Sequence, residues 1–364
     1  MTAALFDDVV GQDRAIDALR GAAQRPAHAY LLTGPRGSGV EEAARSFAAL
    51  LIGVAEDERG MRLVRRGVHP DVVEFEPTAA SYLIDYVRDR ILPEAMRAPV
   101  ESERKVLILF EAERLRRQRD DQVGNALLKT LEEPPARTIV VLVTSAPDDL
   151  LETIRSRCHR VDFAPLDDDV VEAALVRDGI APADAARAAV LAGGQLARAR
   201  ALAGPLREMR DVFAAVPTQL DGTGATALAL AQELDAAVEA AASTVTDRQR
   251  DELTEFDAEM ERLGYADRDA QKLRRRIEER HKRETRRTRI DLLIEGVTAI
   301  ESVYRDALAA PAPSLNADPP RVAPRAAAAA LDACREAREA FPINEKGIVR
   351  LTYLLLSSPP AAAG

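Results

Sequence analysis

Runs of apolar residues alternate with helical periodicities through the first 165 positions of the chain. Ile16, Leu19 and Ala22 or Ala23 stand at helical spacing and predict a helix over residues 13 to 23. Ala29-Tyr30-Leu31-Leu32-Thr33 is a short unbroken apolar run. It opens into Gly34-Pro35-Arg36-Gly37-Ser38-Gly39 and then a helix with Ala43, Phe47, Leu50 and Leu51 on one side. Val72-Val73-Glu74-Phe75 predicts a second strand, set off by His69-Pro70-Asp71, and residues 80 to 92 read as helical. Val106-Leu107-Ile108-Leu109-Phe110 and Ile139-Val140-Val141-Leu142-Val143 are continuous apolar strands, the pattern of a parallel sheet covered on both faces. Between them, residues 120 to 131 form a helix stopped by Pro134-Pro135. Strands alternating with helices in this way predict an α/β fold with a doubly wound parallel sheet, ending near Pro165.

Beyond that point no further strand is convincing. Residues 166 to 205 predict a small helical lid with short helices around Gly193-Gly194, and residues 206 to 364 an all-α domain rich in alanine. Leu253, Phe256, Met260, Leu263, Ala270, Leu273 and Ile277 run near heptad spacing, and Ile290, Leu293, Val297, Ile300 and Tyr304 start a second stripe. Together they define a charged helical insertion over about 243–310. Residues 251 to 261 are acidic, whereas ten Lys or Arg fall between 272 and 289. Two readings of that basic stretch are open: a solvated arm whose charges pair across the helices, or a contact for DNA phosphates or an acidic partner. Residues 310 to 324 form a proline-rich loop, followed by a final helical pair ending in Tyr353-Leu354-Leu355-Leu356.

Composition narrows the class. At 364 residues, 47% hydrophobic and 30% charged, the chain has enough material for two or three ordinary soluble domains. No apolar run reaches a membrane span, and the acidic N-terminus lacks the basic region of a signal peptide. Cys158 and Cys334 are too few for a disulfide framework or a four-cysteine zinc site, so the expected compartment is the cytoplasm and the cysteines are expected to be free. A net charge of −10 argues against a protein that coats DNA by itself.

The glycine-rich turn carries the candidate chemistry. A phosphate-binding loop needs glycines whose backbone N–H groups cradle phosphate, a lysine for the β- and γ-phosphates, and a Ser or Thr hydroxyl for Mg²⁺. Gly34, Gly37 and Gly39 stand in place between strand and helix, but the lysine position is Val40 and the hydroxyl position is Glu41. The first lysine of the chain is Lys105, so none stands nearby to substitute. Glu41 puts a carboxylate at a helix N-terminus, where the dipole favours it but a triphosphate would be repelled, and whether it fills the anion site itself is open. The third strand, which should end in Asp-Glu to hold Mg²⁺ and orient water, ends in Phe110-Glu111. Three losses predict a degenerate site that does not hydrolyse ATP. Arg155-Ser156-Arg157-Cys158-His159-Arg160 follows the fourth strand and offers an exposed arginine on a short tether, the shape of a finger that reaches a phosphate held by a neighbour.

These stretches together resemble the clamp-loader branch of the AAA+ family. The resemblance rests on Val10-Gly11-Gln12, on His28-Ala29-Tyr30-Leu31-Leu32-Thr33-Gly34-Pro35-Arg36-Gly37 and on Asn125-Ala126-Leu127-Leu128-Lys129-Thr130-Leu131-Glu132-Glu133-Pro134-Pro135. The Ser-Arg-Cys motif, in Ile154-Arg155-Ser156-Arg157-Cys158, completes it. It implies that Arg157 acts in trans on ATP in an adjacent subunit, with Ser156 and Cys158 as structural parts of the motif. It also implies sensor positions at Thr144 and, within Gly193-Gly194-Gln195-Leu196-Ala197-Arg198, at Arg198. Glu336 to Asn344 resembles the last helices of the collar that holds such assemblies together. Because the branch's hydrolysing gamma/tau type keeps an intact loop, the defects point to the delta-prime type of a DNA polymerase III clamp loader. That type implies gamma/tau-type and delta-type partner subunits, with sliding clamp and primer–template DNA engaged through the complex. ATP and Mg²⁺ would then be bound by a partner and no cofactor by this chain. An AAA+ ATPase with an atypical nucleotide site is the alternative. The family's usual four-cysteine zinc module is expected to be absent, since residues 51 to 71 contain no cysteine, and that segment must fold by packing alone.

Overall fold

The computed structural model describes residues 3–35, 37–77, 81–115, 122–133, 135–262, 267–308, 324–341 and 351–355. The chain divides into two compact units: Met1–Arg200 with Arg275–Ile277, and Ala201–Arg274 with Glu278–Gly364.

The first unit is built on a five-stranded, all-parallel sheet. In chain order its elements are α1 (Asp13–Gln24), β1 (Ala29–Thr33), α2 (Val40–Ile52), α3 (Glu58–Arg65) and β2 (Val72–Phe75). A composite helix follows, α4 (Ile84–Tyr86) and α5 (Leu92–Ala95) joined by a wide turn over Val87–Ile91. Then come β3 (Lys105–Leu109), α6 (Gln122–Glu132), β4 (Thr138–Thr144), α7 (Glu152–Arg155) and β5 (His159–Asp162). The spatial order is β2-β3-β4-β1-β5, with Leu31 opposite Leu142 and Ile108 opposite Val141. β1, β3 and β4 are buried along their whole length, as their continuous apolar runs require. β5 was not expected, because only Val161 of its four residues is buried and an edge strand with one apolar position carries no run to detect. One core, with Tyr30, Phe47, Ile108 and Phe163, fills the side of the sheet covered by α1 and α2; Leu31, Leu107, Leu127 and Ile154 fill the other.

The segment after α2 packs its apolar side chains and starts its helix on a cap. Leu63, Val64 and Val68 are buried, and the Asp57 carboxylate accepts hydrogen bonds from the N–H groups of Arg59 (3.1 Å) and Gly60 (2.9 Å), which start α3. The loop before β3 is anchored by Asp71. Its buried carboxylate accepts from the backbone N–H groups of Val100 (2.5 Å), Glu101 (2.8 Å) and Ser102 (2.7 Å). α8 (Asp168–Arg177), α9 (Pro182–Ala192) and α10 (Leu196–Leu202) follow the sheet.

The second unit comprises α11 (Pro205–Gln219), α12 (Gly224–Arg262), α13 (Asp267–Leu308), α14 (Pro324–Ala340) and a helical stretch over residues 351–355. Phe256, Met260, Leu293, Val297, Ile300 and Tyr304 from the two predicted stripes are buried. α13 and α11 pack closely at Gly296, where an added Cβ would meet the Phe213 ring at 2.5 Å. The basic stretch is cross-paired. Arg274 pairs with Asp257, Arg280 with Glu252 (2.5 Å), and Arg289 with Asp235 (3.1 Å) and Glu239. Arg248 on α12 answers Glu284. For these side chains the first reading of the basic stretch holds. The proline-rich loop, apart from Pro324 at the start of α14, and Pro342-Ile343-Asn344 of the predicted collar end lie outside the described residues.

Candidate functional site

The glycine-rich turn leaves the C-terminal end of β1 and feeds α2. Gly34 N–H donates to the Thr144 carbonyl at the end of neighbouring β4 (3.1 Å), which ties the two strand ends together. Gly37 (φ +75°) and Gly39 (φ +88°) both take the left-handed conformation that a nest of backbone N–H groups needs. Gln12 braces the turn, its amide donating to the carbonyls of Ser38 (3.2 Å) and Ala164 (2.7 Å). Arg36 lies outside the described residues.

The space in front of this turn is small and acidic. A cavity of about 50 Å³ is lined by residues that include Asp8, Gly37, Ser38, Gly39, Glu42 and Arg200. Ligand pockets usually measure roughly 300–1,000 Å³. Apolar groups close in on the loop: a Cβ at Gly37 would lie 3.1 Å from Ala197 Cβ, and one at Gly39 would lie 3.1 Å from Val9 Cγ1. Among the described lining residues, Asp8 and Glu42 face one arginine, Arg200, which is already engaged by Asp178 (2.7 Å). Val40 is buried in the core and Glu41 is half-buried. Glu42 rather than Glu41 lines the cavity, and Arg198 is not among the lining residues.

Behind the loop, the position expected to hold Mg²⁺ is apolar and backed by an ion pair. Phe110 is buried, and the Arg45 guanidinium stacks over its ring at 5.0 Å. Arg45 also binds Glu74 through two bonds (2.8 and 3.0 Å). Burial opposes the charge on Arg45, but the facing Glu74, with Glu41 and Glu42 near by, raises its pKa overall. Glu111 has φ +50°, unusual for a non-glycine residue, and its carboxylate pairs with Arg114 (2.6 Å). The Thr144 hydroxyl donates to Glu113 (2.6 Å), which also accepts from Ser145 (3.3 Å). Among the described residues no group of three His, Cys, Asp or Glu gathers as a metal site.

Arg157 sits in the turn between α7 and β5, next to Ser156 and Cys158. It is half-buried rather than freely exposed, because its guanidinium donates to the Thr153 carbonyl (2.9 Å) and pairs with Glu132 at the end of α6 (2.6 Å). Arg155 is turned away, paired with Asp148 (2.8 Å) and Glu152. Burial pushes the Cys158 thiol up to about 12, so it stays protonated near neutrality, and both cysteines are free. The roles of Glu74, Glu113 and Glu132 are what reading along the chain did not find: Glu132 stands in a recognised motif and Glu74 in a predicted strand, but each meets its partner only across the fold.

The strand order, the all-parallel register and the glycine-rich turn between β1 and α2 define an AAA+-type α/β fold. Residues 11–167 match the family described as DNA polymerase III, delta subunit. The chain is similar to DNA polymerase III subunit tau of Bacillus subtilis (strain 168), 37% identical over 43% of this chain and 29% of that one. It is also similar to DNA polymerase III subunit delta' of the same organism, 34% identical over 43% of this chain and 48% of that one. The delta' subunit of Pseudomonas aeruginosa is 35% identical over 42% of this chain and 47% of that one. The chain thus spans less than half the length of each of these relatives.

Proposed function

We propose that this chain is a non-hydrolysing, delta-prime-type subunit of a cytoplasmic DNA polymerase III clamp loader. It lends Arg157 to an ATP site on a neighbouring gamma/tau-type subunit. In that role it also joins a delta-type subunit and supports ATP-driven loading of the sliding clamp on primer–template DNA. ATP and Mg²⁺ belong to the partner. An arginine that reaches a transferring phosphate neutralises charge in the transition state, worth about 10³–10⁵ in rate in GTPases.

The observation that carries the reading is the phosphate-loop cavity: about 50 Å³, lined by Asp8 and Glu42, beside Val40 where the lysine belongs. The Glu111–Arg114 and Thr144–Glu113 contacts support it further, since the groups that would orient water and sense phosphate are bonded within the chain. Titration of the isolated chain with Mg²⁺ and ATP tests it. No saturable binding is expected, and micromolar affinity would overturn the reading.

The alternative is a gamma/tau-like ATPase with an atypical site, favoured by a similarity to the tau subunit as high as that to delta'. The same titration decides between the two. A DNA-binding role for residues 272–289 has less support, because Arg274, Arg280 and Arg289 are answered by acids of α12.

A further inference from the structure

Arg157 has a partner inside its own chain, and that partner sits in an unusual place. One guanidinium nitrogen donates to the Thr153 carbonyl at 2.9 Å, and another meets Glu132 Oε1 at 2.6 Å. These two contacts fix the plane of the group along the surface of the chain. Glu132 is the last residue of α6, where the helix dipole disfavours a carboxylate. Arg157 supplies the positive charge that the position lacks. Both side chains remain substantially exposed, 35% for Arg157 and 47% for Glu132, so the pair is within reach of a docking neighbour and is weak enough to exchange.

From this geometry we infer that Glu132 is a positioning residue that parks Arg157, and that a partner's γ-phosphate must displace it before the arginine can act. The inference rests on the reading of Arg157 as a trans-acting finger. A terminal phosphate carries more negative charge than one carboxylate and offers two oxygens to the guanidinium fork, so it outcompetes Glu132 once it is near. Without such a phosphate the arginine returns to Glu132 and Thr153. The parked state lowers the fraction of chains ready to engage ATP, which raises the apparent KM at the served site.

The test uses the complex reconstituted with gamma/tau-type and delta-type subunits, sliding clamp and primed DNA. ATPase is followed against ATP concentration at two ionic strengths for wild type, Glu132→Gln, Arg157→Ala and the double variant. Glu132→Gln keeps the shape but loses the charge, so KM is expected to fall about two- to five-fold, with a smaller change in kcat. The effect should vanish when Arg157 is already Ala, and the KM gap between wild type and Glu132→Gln should narrow as salt rises. An unchanged KM in Glu132→Gln, with Arg157→Ala strongly impaired, would overturn the parking role while leaving the finger intact. A loss of kcat in Glu132→Gln as deep as in Arg157→Ala would also overturn it, since Glu132 would then be aiming the arginine into the site. Unchanged turnover in Arg157→Ala would remove the finger and the latch together. Thermal unfolding of each variant, with Glu132→Asp as a second probe, separates these outcomes from misfolding.

Discussion

The turn after β1 and the turn before β5 lie at neighbouring strands of one sheet, yet they handle charge in opposite ways. Behind the first, the charge next to the strand end is held by two bonds, a ring and burial: Arg45, 20% exposed, sits between Glu74 and the Phe110 ring. At the second, Arg157 is held by one carboxylate and one carbonyl at the surface. Locked charges cannot follow a ligand that comes and goes, whereas a surface pair can exchange. On the function proposed above, the two turns suit different tasks, a structural plug and an exchangeable contact.

The largest expected effect lies at the second turn. If Arg157 is the finger proposed above, Arg157→Ala should lower hydrolysis at the neighbouring ATP site by about 10³-fold or more. The chain should keep its thermal stability to within about 1 kcal/mol, because the pair it loses is at the surface. Single-turnover hydrolysis in the reconstituted complex, read beside a melting curve of the isolated chain, checks both halves. A large fall in stability would mean that the exposed pair is structural after all, and the contrast between the turns would collapse.

At the first turn the effect should appear in stability instead. Glu74→Gln strips Arg45 of its main counter-charge in a site where Glu74 is 7% and Arg45 20% exposed. Removing one member of a fully buried pair costs about 3–5 kcal/mol, and partial exposure of Arg45 reduces this to about 2–3 kcal/mol. Urea denaturation measures it. A change below about 0.5 kcal/mol would show that the charge behind the phosphate loop is as exchangeable as Arg157.

Asp71 extends the same contrast to pH. Burial alone would raise its pKa, but the N–H groups of Val100, Glu101 and Ser102 outweigh burial and leave it lower than usual. A carboxylate depressed in the folded state contributes its stability in full above its ordinary value and loses it as pH falls through the folded value. Asp71→Asn should therefore cost about 1–3 kcal/mol at pH 7, and the gap from wild type should close below about pH 4. Melting curves from pH 7 to 3 would show the convergence; a gap independent of pH would assign the loss to shape rather than charge.

What could be read along the chain follows the same division. β1, β3 and β4 were visible as apolar runs because both their faces are covered. β5 was not, because His159, Arg160 and Asp162 are exposed and only register with β1 makes them a strand. The positions of Gly37, Gly39, Val40 and Phe110 follow from motif spacing, and the structure places them around one turn and the strand end behind it. The groups that decide how the site behaves are remote partners. Glu74 comes from β2 to Arg45, Glu113 reaches Thr144 from 31 positions away, and Glu132 meets Arg157 from the far end of α6. Motifs record which residues are present, while pairing is fixed only by the fold.

The smallest expected effect is the most direct test of that last distinction. Val40→Lys with Glu41→Ser restores the two missing letters of the phosphate loop. If letters alone had closed the site, the double variant should bind Mg²⁺–ATP. The expectation is no gain: Asp8 and Glu42 still line a cavity of about 50 Å³, Ala197 still presses on Gly37, and Phe110, at the position the motif reserves for an Mg²⁺ ligand, is buried and offers no oxygen. Lys at 40 must also bring its stem out of a buried position, so folding is followed by thermal melting alongside calorimetric titration with ATP. Binding at micromolar affinity by a folded double variant would show that the plug is incidental and that the first turn differs from a working phosphate loop only in two side chains. No binding would place the difference in the surrounding acids and packing, where the contrast with the Arg157 turn locates it.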